Sequence, residues 1–300
     1  MIRDTLSRLL GGRIEPTAEA EPGRLVSRRA ESEQETNEAP SGDRAREAKE
    51  LRSLFGVGLA DAVADGLYNS ETGELAPGFP ITKDDVVVDA GCGEGGMAGF
   101  CARQGAHVIM VDTDSTVLEK AVKRALRDAP GGAEGHIGDA SALPLPDAIA
   151  TRVICTEVLE HVDDPAGVMK ELLRVGKPGA LYLLSVPGAA SERLQHHVAH
   201  PSYFAKPNHI RIFQTEDFVR LVEDSGLIIE KRIPYGFFWT MHWLFFWQAG
   251  NEFGKGENPL LDSWTNTWRE VMQSRDAASI RNALNELAPK AIAIVARKPG

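Results

Sequence analysis

Three hundred residues with 43 acidic and 33 basic side chains, a formal charge of −10, suffice for one α/β domain with an extension or for two small domains, and for a sizeable core. The acidic balance and the lack of a concentrated Lys/Arg stripe argue against broad nucleic-acid affinity, although local basic pockets stay open. The three cysteines, Cys92, Cys101 and Cys155, sit in stretches that read as buried, so neither a disulfide framework nor a CxxC zinc site is expected and the cytoplasm is the default compartment.

Residues 13–46 are rich in Glu, Arg, Ser, Ala and Pro and nearly free of aromatics, so 1–45 is expected to be a disordered tail. Its first residues, MIRDTLSRLLGG, set Ile2, Leu6, Leu9 and Leu10 on one side of a short basic helix. That pattern reads as a frayed end or as a weak membrane-surface or partner contact. Arg8 breaks the apolar run and no small-residue cleavage pattern follows, which is not a signal peptide. Residues 46–80 hold a helical pattern through Leu51, Leu54, Phe55, Leu59 and Val63, then a connecting loop, and are expected to form a lid or edge helix and its linker.

The stretch VVVDAGCGEGG, 86–96, is the centre of the chain. Three β-branched residues predict a short buried strand, Gly91, Gly93, Gly95 and Gly96 a loop, and MAGFCARQG a helix. Such a loop brings backbone N–H groups close to a ligand at a helix N-terminus. Asp89 at the strand end would repel phosphate and attract an ammonium or sulfonium, which points to a cationic nucleotide-like ligand. HVIMVD is a second strand ending at Asp112, and STVLEKAVKRALRDA an amphipathic helix capped by Ser115. A third strand near 134–137 leads into GDASALPLPD, and a fourth, RVICTEV, into TEVLEHVDDP, where Asp163 and Asp164 cap a helix starting at Pro165. KPG turns the chain into a fifth strand, ALYLLSV. This alternation predicts a doubly wound parallel α/β sheet.

Beyond Pro187 the texture changes. SERLQHHVAHPSYFAKPNHIRIF holds His196, His197, His200 and His209; the first three read as a general base, a ligand set or a solvated loop. A helix over 215–225 and a strand, LIIEKRI, follow. Then GFFWTMHWLFFWQAG, with Phe237 and Trp247 bounding its aromatic run, is too short to span a bilayer, which needs roughly twenty apolar residues. It reads as a wall over an apolar substrate, an interfacial membrane contact or ordinary core. A long helical region precedes AIAIVARKP, a last buried strand.

DAGCGEG, the acidic strand end at Asp112, GDASALPLPD, TEVLEHV and KPGALYLLSVP, in that order, resemble the class I S-adenosylmethionine-dependent methyltransferases over roughly residues 80–235. The resemblance implies a seven-stranded, mostly parallel sheet with an antiparallel last strand, a domain over 81–300 and a helical, aromatic substrate insertion at about 190–290. It implies S-adenosylmethionine as cofactor, with Asp89 facing the methionine ammonium and the Gly91, Cys92, Gly93, Gly95 backbone passing close by. Asp112 would accept the ribose hydroxyls, Thr113 lie beside the adenine in place of the family's usual apolar residue, Asp139 take the adenine amine and the Ala140 N–H a ring nitrogen. Gly91, Gly93 and Gly96 also satisfy GxGxxG, but Asp89 sits badly beside a pyrophosphate and TEVLEHV has no task in a nicotinamide-binding scheme.

In TEVLEHV, Glu157, Glu160 and His161 stand at i, i+3 and i+4 and share a face of a helical turn. The segment resembles two metal-dependent branches of the superfamily, the ubiquinone-pathway O-methyltransferases and the small-RNA 2′-O-methyltransferases, the latter with a distal histidine shortly before a helix. His209, before Phe218, stands in a comparable place, so Glu157, Glu160, His161 and His209 form a candidate Mg²⁺ or Mn²⁺ site, with His161 and His209 the candidate catalytic residues. Without a metal, the same residues orient the loop or His161 acts as a base. The expected activity is O-methylation of a partly apolar small molecule, such as a quinone-like ring, a lipid or a natural product. The alternatives are a metal-independent N- or C-methyltransferase and a non-catalytic S-adenosylmethionine-binding partner protein. No nucleic acid is expected as a partner; peripheral membrane contact through Phe237 to Trp247 is a further expectation.

Overall fold

The structure is a computed structural model that describes residues 24–25, 54–127, 131–248 and 258–300. Of the expected tail, only the two-residue strand β1 (Arg24–Leu25) is described; the amphipathic start of the chain lies outside the described residues. α1 (Leu54–Ala64) is followed by a small antiparallel pair, β2 (Glu74–Ala76) and β3 (Phe79–Pro80). The alternation then runs β4 (Val86–Ala90), α2 (Gly96–Arg103), β5 (His107–Asp112), α3 (Ser115–Arg127), β6 (Ala133–Ile137), β7 (Ala150–Thr156), α4 (Pro165–Val175), β8 (Gly176–Pro187). The carboxyl-terminal part adds α5 (Ala189–His196), a 3₁₀ turn at Pro201–Phe204, α6 (Thr215–Asp224) and β9 (Ile228–Tyr235). It ends with α7 (Phe237–Gln248), α8 (Pro259–Gln273), α9 (Ala277–Leu287) and β10 (Ala291–Arg297).

The sheet order is β1-β6-β5-β4-β7-β8-β10-β9. Strands β6, β5, β4, β7 and β8 pair in parallel, and β10 runs antiparallel to both β8 and β9. Leaving aside β1, which pairs antiparallel on the β6 edge, this is the expected doubly wound seven-stranded sheet with an antiparallel last strand. The KPG segment is an irregularity inside β8, since Ala150 pairs with Gly176 and Arg152 already with Leu181. Asp164 caps α4 by accepting the Gly167 N–H at 3.0 Å, with Pro165 next to it.

Period-two alternation divides the core into two layers. Val88 and Ala90 of β4 pack with Val168, Met169 and Leu172 of α4 and with Phe218 of α6. Val87 packs on the other face, with Met97, Phe100 and Cys101 of α2 and Leu118 and Ala121 of α3. A third, aromatic cluster centred on Val57, Phe238 and Trp268 joins α1, α7 and α8. Cys92, Cys101 and Cys155 are buried free thiols. No helix among the described residues is long and apolar enough to cross a membrane.

Candidate active site

The strand order reverses between β4 and β7, and in open α/β sheets a crevice forms at the carboxyl ends of the strands at such a point. Here that crevice has a volume of about 340 Å³ and is lined by Gly91, Gly93, Asp112, Thr113, Asp139 and Ala140, among others. Asp112 is held from two sides: its Oδ2 accepts the Gly93 N–H at 2.9 Å and its Oδ1 the Asp114 N–H at 3.0 Å. Asp139 is exposed, and its Oδ1 accepts from the backbone N–H and hydroxyl of Ser141. Gly91 has φ +73° and a Cβ there would lie 2.4 Å from Val158 Cγ2, so both the turn and the approach of the next loop need glycine.

Asp89, Cys92 and Gly95 do not line the crevice. Asp89 shares the face of Val87, so alternation turns it beneath α2, where it accepts the Ala98 N–H. Burial, then the charge of Asp112, raises its pKa to about 7. Cys92 is buried, and Gly95 is the N-cap of α2, where a Cβ would press on Ala121 at 2.9 Å.

The turn after β7 and the segment after the 3₁₀ turn meet beside the crevice. Glu160, His161 and His209 each bring a ligand-type atom into a group whose members lie within 4.8 Å of one another. His161 Nδ1 is 3.1 Å from the Pro207 carbonyl and donates to it, which leaves Nε2 as an acceptor 3.6 Å from Glu160 Oε1. His209 Nδ1 likewise donates to Glu192 Oε2 at 2.8 Å, and that residue's Oε1 accepts from Tyr203 at 3.1 Å. Glu160 is fully buried, and neither of its oxygens has a hydrogen-bond partner. Burial, then the neighbouring Glu157, pushes its pKa well above the usual carboxylate range. Burial, then His209, lowers His161 to about 4, so its ring is neutral at neutral pH.

Glu157, expected to be a fourth ligand, is not in this group. It adopts a left-handed backbone (φ +55°), a conformation a non-glycine residue rarely takes, and its Oε2 accepts from Lys290 Nζ at 2.9 Å. Burial opposes the charge of Lys290, but Glu157 and Glu192 outweigh it and raise the pKa of the ammonium. His196, His197 and His200 are exposed and line neither the crevice nor the cavity described next.

A second cavity of about 300 Å³ adjoins the crevice. Thr156, Glu157 and His161 line both spaces, so a ligand in one faces a ligand in the other across these residues. Its walls include Tyr68, Tyr203, Tyr235, Trp239, Trp243 and Trp247, with Asp61 of α1, His209 and Lys290. All three tryptophans come from the aromatic run of α7, whose other side packs into the helical layer through buried Phe238, which stacks on Trp264. Lys290, Tyr203 and Asp61 were not picked out from the sequence: Lys290 stands in a stretch without a motif, and Tyr203 in the histidine-rich segment and Asp61 in the helical pattern of α1 reach the site through long-range packing.

Residues 88–184 match the family described as the methyltransferase domain. A probable S-adenosylmethionine-dependent methyltransferase of Mycolicibacterium smegmatis is 31% identical over 49% of this chain and 53% of its own length. A ubiquinone biosynthesis O-methyltransferase of Hahella chejuensis is 38% identical over 31% of this chain and 40% of its own. The chain thus spans about half the length of the curated relatives it matches. Among solved structures, a geranyl diphosphate methyltransferase in complex with SAM shares the fold with a TM-score of 0.52, at 17% identity over 87% of this chain and 92% of that one.

Proposed function

We propose that the chain is a class I S-adenosylmethionine-dependent methyltransferase that methylates a hydroxyl of a partly apolar small molecule at a divalent-cation site made by Glu160, His161 and His209. The observation that carries the cation is Glu160, a fully buried carboxylate with neither oxygen hydrogen-bonded, facing two imidazoles. An unpaired buried carboxylate is costly, and a cation resolves that cost. Both histidines offer Nε2 and anchor Nδ1 on a carbonyl or a carboxylate, the support that metal-bound histidines characteristically have. Around them Glu157, Glu160 and Glu192 face one ammonium, Lys290, so the cluster is short of positive charge. One carboxylate and two imidazoles form a nitrogen-rich set that suits Mn²⁺ better than Mg²⁺, and suits Fe²⁺ or Zn²⁺ as well.

S-adenosylmethionine fits the crevice of Asp112, Thr113, Asp139 and Ala140, and the acceptor fits the aromatic cavity. When bound, the cofactor supplies the methyl group and the cation favours the ionised form of a nearby hydroxyl. The protein's own contribution is placement. Asp112, fixed by two backbone N–H groups, presents its carboxylate to the ribose; Lys290 holds Glu157 at the boundary of the two spaces; the tryptophan walls exclude water from the acceptor's side. The relative's ubiquinone O-methylation is consistent with an oxygen acceptor.

A second reading, His161 as a general base without metal, is favoured by its Nε2, an acceptor on the wall shared by the two spaces, and opposed by the low pKa of the ring, which keeps it neutral but makes it a weak base. Calorimetric titration of chelator-treated protein with S-adenosylhomocysteine, then Mg²⁺ and Mn²⁺, separates the two. Wild type is expected to bind all three, and Glu160→Gln to keep the nucleoside while losing the metals. Metal binding that survives Glu160→Gln, or none in wild type, overturns the cation site and leaves the base.

A further inference from the structure

The aromatic cavity contains a carboxylate that the methyl-transfer chemistry does not use. Asp61 lines the cavity from α1 and is 1% exposed. Its Oδ1 accepts from Trp268 Nε1 at 2.9 Å and Arg281 Nε at 3.2 Å; its Oδ2 has no hydrogen-bond partner. Asp65, one turn on, is fully engaged: Arg281 and Asn285 donate to its Oδ1 and the Gly236 N–H to its Oδ2. Two carboxylates therefore share one guanidinium, and the oxygen left over belongs to the residue at the cavity wall. The other fixed cation at this cavity, Lys290, is held by Glu157.

We propose that Asp61 is the recognition residue for a positively charged nitrogen on the acceptor, so that the substrate is an amine-bearing aromatic compound rather than a neutral apolar one. The inference rests on the reading of this cavity as the acceptor site. A protonated amine supplies what the Asp61–Asp65–Arg281 group lacks, one positive charge and a donor to Oδ2, and a charge-assisted bond of this kind is among the stronger polar contacts. The lining suits the same group: six aromatic side chains surround the space, and a cation is attracted to aromatic faces most strongly where water is excluded. Burial, then the charge of Asp65, raises Asp61 to about 6, which is what a carboxylate short of partners shows and what an adjoining ammonium would reverse. A purely structural carboxylate in this network needs only Oδ1, and a neutral acceptor would leave Oδ2 as it stands.

The test uses two pairs of small probes that differ in one charged nitrogen, titrated into protein holding S-adenosylhomocysteine and Mg²⁺ and followed by tryptophan fluorescence. The pairs are dopamine with 4-ethylcatechol, and phenethylamine with 2-phenylethanol. The amine of each pair is expected to bind about tenfold more tightly than its neutral partner. Asp61→Asn should cut that preference to below about twofold while S-adenosylhomocysteine affinity stays unchanged, which shows the variant folded. Equal binding within both pairs in wild type, an observation that needs no variant, overturns the proposal; so does a preference that survives Asp61→Asn. If Mg²⁺ does nothing for the catechols, the hydroxyl-at-cation reading fails, and an Asp61-dependent preference for phenethylamine still upholds this inference.

Discussion

His242 shows how one side chain sets a pH limit on the fold. It is 3% exposed on α7, beside Phe238, Trp243 and Phe246, its Nδ1 has no hydrogen-bond partner, and burial lowers its pKa to about 4. Between pH 6.5 and 4 the unfolded chain takes up a proton there that the folded chain does not, so stability is full above the unfolded pKa and falls as pH falls. The loss attributable to this ring approaches about 3 kcal/mol at pH 4. Asp61 and Asp89, whose pKa values are raised, act with the opposite sign, so the ring's share must be read as a difference. Urea unfolding of wild type and His242→Phe is expected to give a gap that shifts in the variant's favour as pH drops from 6.5 to 4; a gap independent of pH removes the argument. Asp112 and Gly91 were legible because a strand end and a turn are local properties of VVVDAGCGEGG and HVIMVD. Lys290 was not, since its partner Glu157 lies 133 residues away and nothing near Lys290 marks it as part of a site.

At the scale of elements, α1 and α7 are fitted to each other through one small residue. A Cβ on Gly58 would stand 2.1 Å from Cζ2 of Trp239, well within the indole's van der Waals surface. Gly58→Ala gains up to about 1 kcal/mol of helix propensity, but overpacking a tight contact costs about 1–3 kcal/mol and displaces the ring. Because Gly58 and Trp239 both line the aromatic cavity, the variant is expected to shift tryptophan emission, lower the melting temperature and weaken probe binding in the cavity. S-adenosylhomocysteine affinity should not change, since neither residue lines the crevice. A melting temperature above wild type would show that the ring yields freely and that propensity wins. The aromatic run of α7 signals burial on every side, because an apolar helix with no polar stripe cannot face water. What covers it could not be read: substrate wall, membrane interface and core fit the same sequence, and the structure sets Trp239, Trp243 and Trp247 on the cavity and Phe238 in the helical layer. His196, read from the sequence as part of a general base, a ligand set or a solvated loop, ends α5 with its side chain exposed, and that helix's Glu192 and Gln195 are anchored by His209 and Trp247 from distant elements.

The whole molecule combines two kinds of order. The sheet is built from contiguous β-branched runs and helices of 3.6 period, patterns that declare themselves within ten residues, so its doubly wound parallel class could be anticipated, while the antiparallel last strand came only with the family resemblance. The helical layer is held by polar contacts between residues far apart in the chain, of which Arg281 is the hub: it reaches Asp61, 220 positions away, and Asp65, while Trp268 of α8 and Asn285 of α9 bind the same two carboxylates. Arg281 is 4% exposed, so its removal leaves carboxylates buried without a counter-charge, a defect worth about 3–5 kcal/mol. Arg281→Met is therefore expected to lose that much stability in urea. The same substitution in an Asp61→Asn background should cost clearly less, because one stranded charge is gone and Asp65 keeps Asn285 and the Gly236 N–H. Equal costs in the two backgrounds would mean that Arg281 acts by packing alone. A smaller cost in the second would establish that α1, α8 and α9 are joined electrostatically, through a charge cluster that includes Asp61 on the wall of the aromatic cavity.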